Sequence, residues 1–249
     1  MQISHSRYFL TRVMLIFILS LNFVYAGRPI ATEDIGVAGK GIFELEISWD
    51  RFQWGGSVHD DLYSIVVNYG LTDRLQIGTE LPYLSLQSPN FSIMHGISDI
   101  IFSAKYLMIN ESRKYPGLAV LGAIKTNSGN APKGLGSGNL DYGLVLSTTK
   151  SINRLAIHAM AGYFVTETLD DFISYGIGIE FLVSSRLNLA AEIIGDSFVE
   201  LPVSDPVMGL IGFSYAFSNT FVVDSGVRIG LTETAPNLNL TIGISTAFH

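Results

Sequence analysis

Apolar and polar residues alternate one by one through most of this chain, and that period of two constrains the fold more than any other feature. In "LYSIVVNYGLTDRLQIGTELPY" (62–83), Tyr63, Ile65, Val67 and Tyr69 share one parity. After the break Gly70-Leu71-Thr72-Asp73, Leu75, Ile77, Thr79, Leu81 and Tyr83 share another. Strict alternation predicts strands, and two strands about a tight break predict a hairpin. About twelve such segments occur, at roughly 40–50, 60–69, 74–84, 97–108, 117–126, 138–149, 154–164, 172–183, 186–196, 206–216, 221–230 and 237–248. Gly, Asn, Asp, Ser and Pro collect in the gaps, as turns require.

The apolar face of such strands meets either a soluble core or lipid. Aromatic side chains close the aliphatic runs at both ends, as in Tyr63-Ile65-Val67-Tyr69 and Tyr175-Ile177-Ile179-Phe181. Rings placed so are the girdles of a membrane barrel, at the level of the lipid headgroups. Trp49, Tyr63, Tyr69, Tyr83, Tyr106, Tyr142, Tyr163, Tyr175, Phe181 and Phe248 are the girdle candidates. From Tyr63 to Tyr69 is about 20 Å of extended chain, close to the roughly 25 Å apolar band of such barrels. The gaps also alternate in length. "GLTD", "KSIN", "SS" and "FSNT" are short, and "RFQWGGSVH", "SLQSPNFSIMHG" and "NSGNAPKGLGS" are long. Short periplasmic turns and long outer loops have this asymmetry; "INESRKYP" is too long for its place in the scheme. The mean hydropathy of +0.36 is high for a soluble protein, yet no later segment is a long unbroken apolar run. The expected fold is all-β, a transmembrane antiparallel up-and-down barrel of about 12 strands, with a soluble sandwich or lipocalin-like barrel as the competing reading.

The start, "MQISHSRYFLTRVMLIFILSLNFVYA", places Arg7 and Arg12 before an apolar run and ends in Ala26. It reads as a signal peptide, residues 1–26, followed by a periplasmic tail over 27–39 and the barrel over 40–249. Removing 1–26 leaves 13 basic against 22 acidic side chains, a net charge of −9. That sign argues against nucleic acid as a partner. There is no cysteine, so an exported chain here uses neither disulfide nor thiolate.

The inward parity collects nearly all mid-strand charge. Glu44, Glu46, Arg74, Glu80, Asp99, Lys105, Lys125, Asp141, His158, Glu180, Glu192, Asp224 and Arg228 are the candidate lumen-lining residues. A Lys or Arg facing lipid at mid-membrane costs about 2–4 kcal/mol, which drives these groups inward. They form either a salt-bridged filling of a narrow barrel or the lining of a path. The acidic excess would make an open path favour cations.

No catalytic residue, metal site or cofactor is expected. His158 is the best base, but the sequence puts no nucleophile beside it; a lipid hydrolase would bring a Ser or Thr hydroxyl within hydrogen-bond reach. "KGLGSG" (133–138) lacks the pattern of a phosphate loop and reads as an external loop. "HDD" (59–61) places three neighbours that do not converge on one ion.

"RPIATEDIGVAGKGIFELE", "YGLTDRLQIGTELPY", "SDIIFSAKYL", "IKTNSGNAPKGLGSGNLDYG" and "VDSGVRIGL" resemble an outer-membrane β-barrel family named for the meta-pathway of phenol degradation. Lys133–Gly138 with Asp141-Tyr142-Gly143 is the most specific piece, and the terminal "LTIGISTAFH" looks like a closing-strand assembly signal. The resemblance implies a Gram-negative outer-membrane location and passive passage of small solutes, with hydrophobic or aromatic compounds as the candidate class. The expected partners are outer-membrane lipid and lipopolysaccharide, the assembly machinery and an unknown small solute. The competing function is a structural or surface-interaction barrel with a plugged lumen.

Overall fold

A strand satisfies its backbone on both sides within one sheet only when the sheet closes on itself, and this chain closes. The computed structural model describes residues 28–56, 58–87, 92–167, 170–199 and 204–249; the expected signal peptide lies outside them. The strands are β1 (Phe43–Gly55), β2 (Val58–Gly70), β3 (Leu75–Gln87), β4 (Met94–Ile97), β5 (Ile101–Ile109), β6 (Gly117–Lys125), β7 (Asp141–Ile152), β8 (Leu155–Val165), β9 (Phe172–Leu182), β10 (Leu187–Phe198), β11 (Val207–Ala216), β12 (Phe221–Gly230) and β13 (Leu238–Phe248). All pairings are antiparallel between neighbours, and β1 pairs with β13 from Phe43↔Phe248 to Gln53↔Leu238. The result is a twelve-position barrel. Among the described residues no helix is long and apolar enough to cross a membrane, a fact silent about strands.

Position four is shared. β4 pairs with Tyr83–Leu86 of β3, and β5 with Leu75–Glu80. The segment expected as one strand from 97 to 108 is interrupted at 98–100, opposite Pro82, which has no N–H for the ladder. The Ser98 amide donates instead to Pro82 O at 2.8 Å, and Asp99 turns inward and is buried. The first hairpin also departs from expectation. β1 and β2 run on to Gly55 and Val58, so the long gap "RFQWGGSVH" is mostly strand. Cross-strand pairs hold the extension: Trp54 Nε1 donates to Asp60 Oδ2 at 2.6 Å, and Arg51 Nε and Nη2 donate to both oxygens of Asp61.

The turns at the other end follow from small polar side chains. Thr72 Oγ1 accepts from the amides of Arg74 and Leu75. Ser184 Oγ accepts from Arg186 and Leu187. Asn153, with φ 56, makes the two-residue link between β7 and β8, a conformation Asn tolerates. The over-long "INESRKYP" is ordered by its own bonds. Glu111 accepts from Lys150 Nζ, the Ser151 amide and Ser151 Oγ. Those bonds outweigh the burial that opposes them and hold the Glu111 carboxyl below its usual range.

The outward parity is apolar and bare: Ile177 is 61 % and Ile211 71 % exposed. Tyr63, Tyr83, Tyr142, Tyr163 and Tyr175 stand exposed toward the long-loop end, and Tyr106, Phe181 and Phe248 toward the short-turn end; Trp49 and Tyr69 are half-buried. A bare apolar band between aromatic rings is a lipid-facing surface.

Candidate functional site

The inward face meets the protein's own N-terminal stretch. Residues 28–39, expected as a periplasmic tail, run through the lumen as part of a strap (28–42) that enters at the short-turn end. The Gly41 amide donates to Gly70 O at 2.8 Å, and the Gly70 amide to Ile42 O at 3.0 Å. Gly70 is obligatory there, because an added Cβ would collide with the carbonyls of Ala38 and Gly39.

From there the strap crosses the barrel wall to wall. The Ala38 amide donates to Gln76 Oε1 at 2.5 Å. Asp34 Oδ1 accepts from Lys105 Nζ at 3.0 Å, and Asp34 O from Ser147 Oγ at 2.7 Å. Glu33 Oε1 lies 2.5 Å from Lys105 Nζ. Glu192 Oε2 accepts from the Ala31 and Thr32 amides and from Thr32 Oγ1, while Glu192 Oε1 accepts from Arg228 Nε at 3.2 Å. Arg228 Nη2 donates to Pro29 O at 2.8 Å. The strap ends with Arg28 Nε on Asp224 Oδ1 at 3.1 Å and Nη2 on Thr241 Oγ1. Inward glycines make the room: a methyl at Gly212 would come within 2.5 Å of Pro29 Cγ, and one at Gly176 within 2.7 Å of Thr32 Oγ1.

The expected lining residues divide by partner. Lys105, Glu192, Asp224 and Arg228 hold the strap. Lys125 Nζ lies 3.2 Å from Asp99 Oδ2 and 2.6 Å from Asp141 Oδ2. Glu80 accepts from Ser64 Oγ at 2.7 Å. Glu180 accepts from Asn188. Glu44 and Glu46 face a cavity described below. Arg74 is not in the lumen. It sits in the exposed turn before β3, where a cation keeps its hydration at no cost.

His158 is buried between Thr149 and Glu180. Its Nδ1 is 3.0 Å from Thr149 Oγ1, and its Nε2 is 3.3 Å from Glu180 Oε2, in ion-pair range but off-line for a hydrogen bond. A hydroxyl is therefore within reach of the imidazole, as a hydrolase would need. Thr149 and His158 are both buried, however, and the cavity reaches Glu180 but neither of them.

Toward the long-loop end the lumen holds two apolar clusters beside the Lys125 ion pairs. Phe52, Leu62, Leu84, Leu86, Ile194 and Met208 form one cluster, and Ile101, Leu121, Val145, Phe164, Phe172 and Phe198 another. The β6–β7 loop folds in over them. Leu135, 2 % exposed, belongs to the first cluster. Asp99 latches the loop: its oxygens accept from the amides of Gly129 and Ser137, each at 2.7 Å. A Cβ at Gly136 would strike the Asp99 carboxylate, so the close approach requires glycine.

At the short-turn end, between the strap and β1 with β9–β13, lies a cavity of about 430 Å³. Its walls include Arg28, Asp34, Glu44, Glu46, Glu180, Asn188, Ser214, Asp224 and Thr246.

Residues 26–248 match the family described as "Putative MetA-pathway of phenol degradation". The chain belongs to this family. No curated protein matches the sequence. An outer membrane channel from Pseudomonas putida F1 has the same fold, with a TM-score of 0.68 at 14 % identity over 90 % of this chain and 100 % of that one. The KdgM porin (TM-score 0.59, 9 % identity, 83 % and 99 % covered) and the NanC porin (0.59, 9 %, 82 % and 98 %) share it as well. In this member of the phenol-degradation family, Lys133–Gly138 lies in the latched loop and Asp141–Gly143 opens β7 beside it.

Proposed function

We propose that this protein is an outer-membrane channel for passive passage of small solutes, closed at rest by its own N-terminal strap. The observation that carries the reading is the strap itself. The lumen is filled across its polar half by a separable stretch of about a dozen residues, seated over inward glycines, and not by barrel side chains alone. A barrel whose role is only structural would fill its section with its own side chains. The fold shared with the Pseudomonas channel and the two porins supports the same class.

The apolar cluster in the outer half favours hydrophobic or aromatic solutes, because Phe52, Leu84, Ile194 and Met208 offer them an apolar lining once Leu135 lifts. Fold and burial favour no catalysis: Thr149 and His158 are buried, and the cavity at the short-turn end reaches neither.

The test is conductance in planar bilayers, comparing the intact protein with one lacking residues 28–39. The expected result is a small, flickering conductance from the first and a steady, several-fold larger, cation-selective one from the second. A deletion variant that keeps heat-modifiable gel mobility and yet stays silent would overturn the reading.

A further inference from the structure

The cavity at the short-turn end carries a charge imbalance that the strap does not cancel. Five carboxylates, Asp34, Glu44, Glu46, Glu180 and Asp224, line it against one cation, Arg28. Arg28 is taken by Asp224, and Asp34 by Lys105. Neither Glu44 nor Glu46 forms an ion pair among the described residues. Glu46 lines the cavity, and its Oε2 accepts no hydrogen bond. A carboxylate on a cavity wall without a donor is costly, and a cation with N–H groups in the cavity would satisfy it through the oxygen that faces it.

We propose that this cavity is a binding site for small organic ammonium ions. About 430 Å³ lies in the range of small-molecule pockets. Asn188, Ser214 and Thr246 add oxygen acceptors, and Val37 and Val222 give an alkyl stem an apolar flank. A metal ion is the poorer guest. Calcium or magnesium needs about six oxygens converging at 2.0–2.6 Å, and the described residues hold no such group. The inference deepens the channel reading, on which it rests for the route by which a solute arrives; the site binds whether or not the strap moves.

The experiment uses the full chain expressed to the outer membrane and purified folded in neutral detergent. It is titrated calorimetrically with 1,4-diaminobutane, and in parallel with 1,4-butanediol and magnesium chloride. The expected result is saturable binding of the diamine, none of the diol, and no displacement by equimolar magnesium. Glu46→Gln should weaken the diamine about tenfold, the loss of one charge-assisted pairing. Glu44→Gln, on the more open wall, should weaken it as well and guards against a folding defect in the first variant. Equal binding of the diol, displacement by magnesium, or undiminished affinity in both variants would overturn the site. Bilayer conductance separates this from the channel reading. Diamine binding with a silent strap-deleted barrel sinks the channel and keeps the site; conductance without diamine binding does the reverse.

Discussion

Arg28 and Asp224 stand 196 positions apart in the chain and meet at 3.1 Å inside the barrel. Asp224 is fully buried and Arg28 nearly so, so neither can exchange its partner for water. The pair pins the strap at Arg28 to β12, and its loss should be felt both as stability and as leak.

Arg28→Ala leaves the Asp224 carboxylate uncompensated. Breaking a buried pair in this way costs about 3 kcal/mol. Urea unfolding in detergent should show that loss, and the same variant should raise the open probability in bilayers.

Gly176→Leu should release the strap without removing any charge, because an added Cβ comes within 2.7 Å of Thr32 Oγ1 and meets only side-chain atoms. Its conductance is expected to approach that of the 28–39 deletion. A conductance equal to the native protein's would show that Thr32 can move aside at no cost.

Strap closure should tighten as pH falls. Burial raises the Glu33 carboxyl to about 7, against the pull of Lys105. Glu33 Oε2 has no hydrogen-bond partner. A carboxyl raised above its free value of 4.5 binds its proton more tightly in the seated strap. Its contribution is fully present below pH 4.5 and is lost as pH rises through about 7. Protease protection of the strap should therefore be greater at pH 5 than at pH 8, and Glu33→Gln should flatten the difference.

Asp141→Asn removes one of two carboxylates on Lys125, leaving Asp99 in place. Thermal unfolding should record a loss of about 2 kcal/mol, typical of a hydrogen bond to a charged group. Ion selectivity should not change, because Asp141 is enclosed by its partners and does not face the cavity.

Leu135→Ala should loosen the outer closure. Emptying a well-packed leucine site costs about 3 kcal/mol. Uptake of an apolar fluorescent dye by whole cells should rise, while conductance through the strap-closed barrel stays as it was.

Strand number, face assignment and the aromatic levels were legible in the sequence, because a lipid-facing surface forces a strict period of two on every strand. The extension of β1 and β2 was not. Arg51 broke the apolar pattern, and only its cross-strand pairing with Asp61 makes it compatible with a strand. Arg74 was misplaced by the reverse error, since parity extrapolated past the turn says nothing of a residue already outside the strand. Whether the tail over 27–39 enters the lumen as a plug was left open by the sequence. The strap has no period, and its partners are scattered from Gln76 to Thr241. One signal was present: Gly176 and Gly178 of β9, Gly212 of β11, Gly226 of β12 and Gly243 of β13 all fall on the inward parity, at places where the strap needs room.

The backbone bonds between Gly41, Ile42 and Gly70, which anchor the strap beside β1, would give the proposed closure a kinetic character of its own. A strap that stays covalently joined to β1 never leaves the lumen's neighbourhood, and its local concentration is of millimolar order. Its reseating is intramolecular and independent of how much protein the membrane holds. A solute competes with it only when its own concentration approaches that value or when its affinity makes up the difference. Traffic through such a barrel would reach half its maximum at a solute concentration set by the strap, without a dedicated sensor.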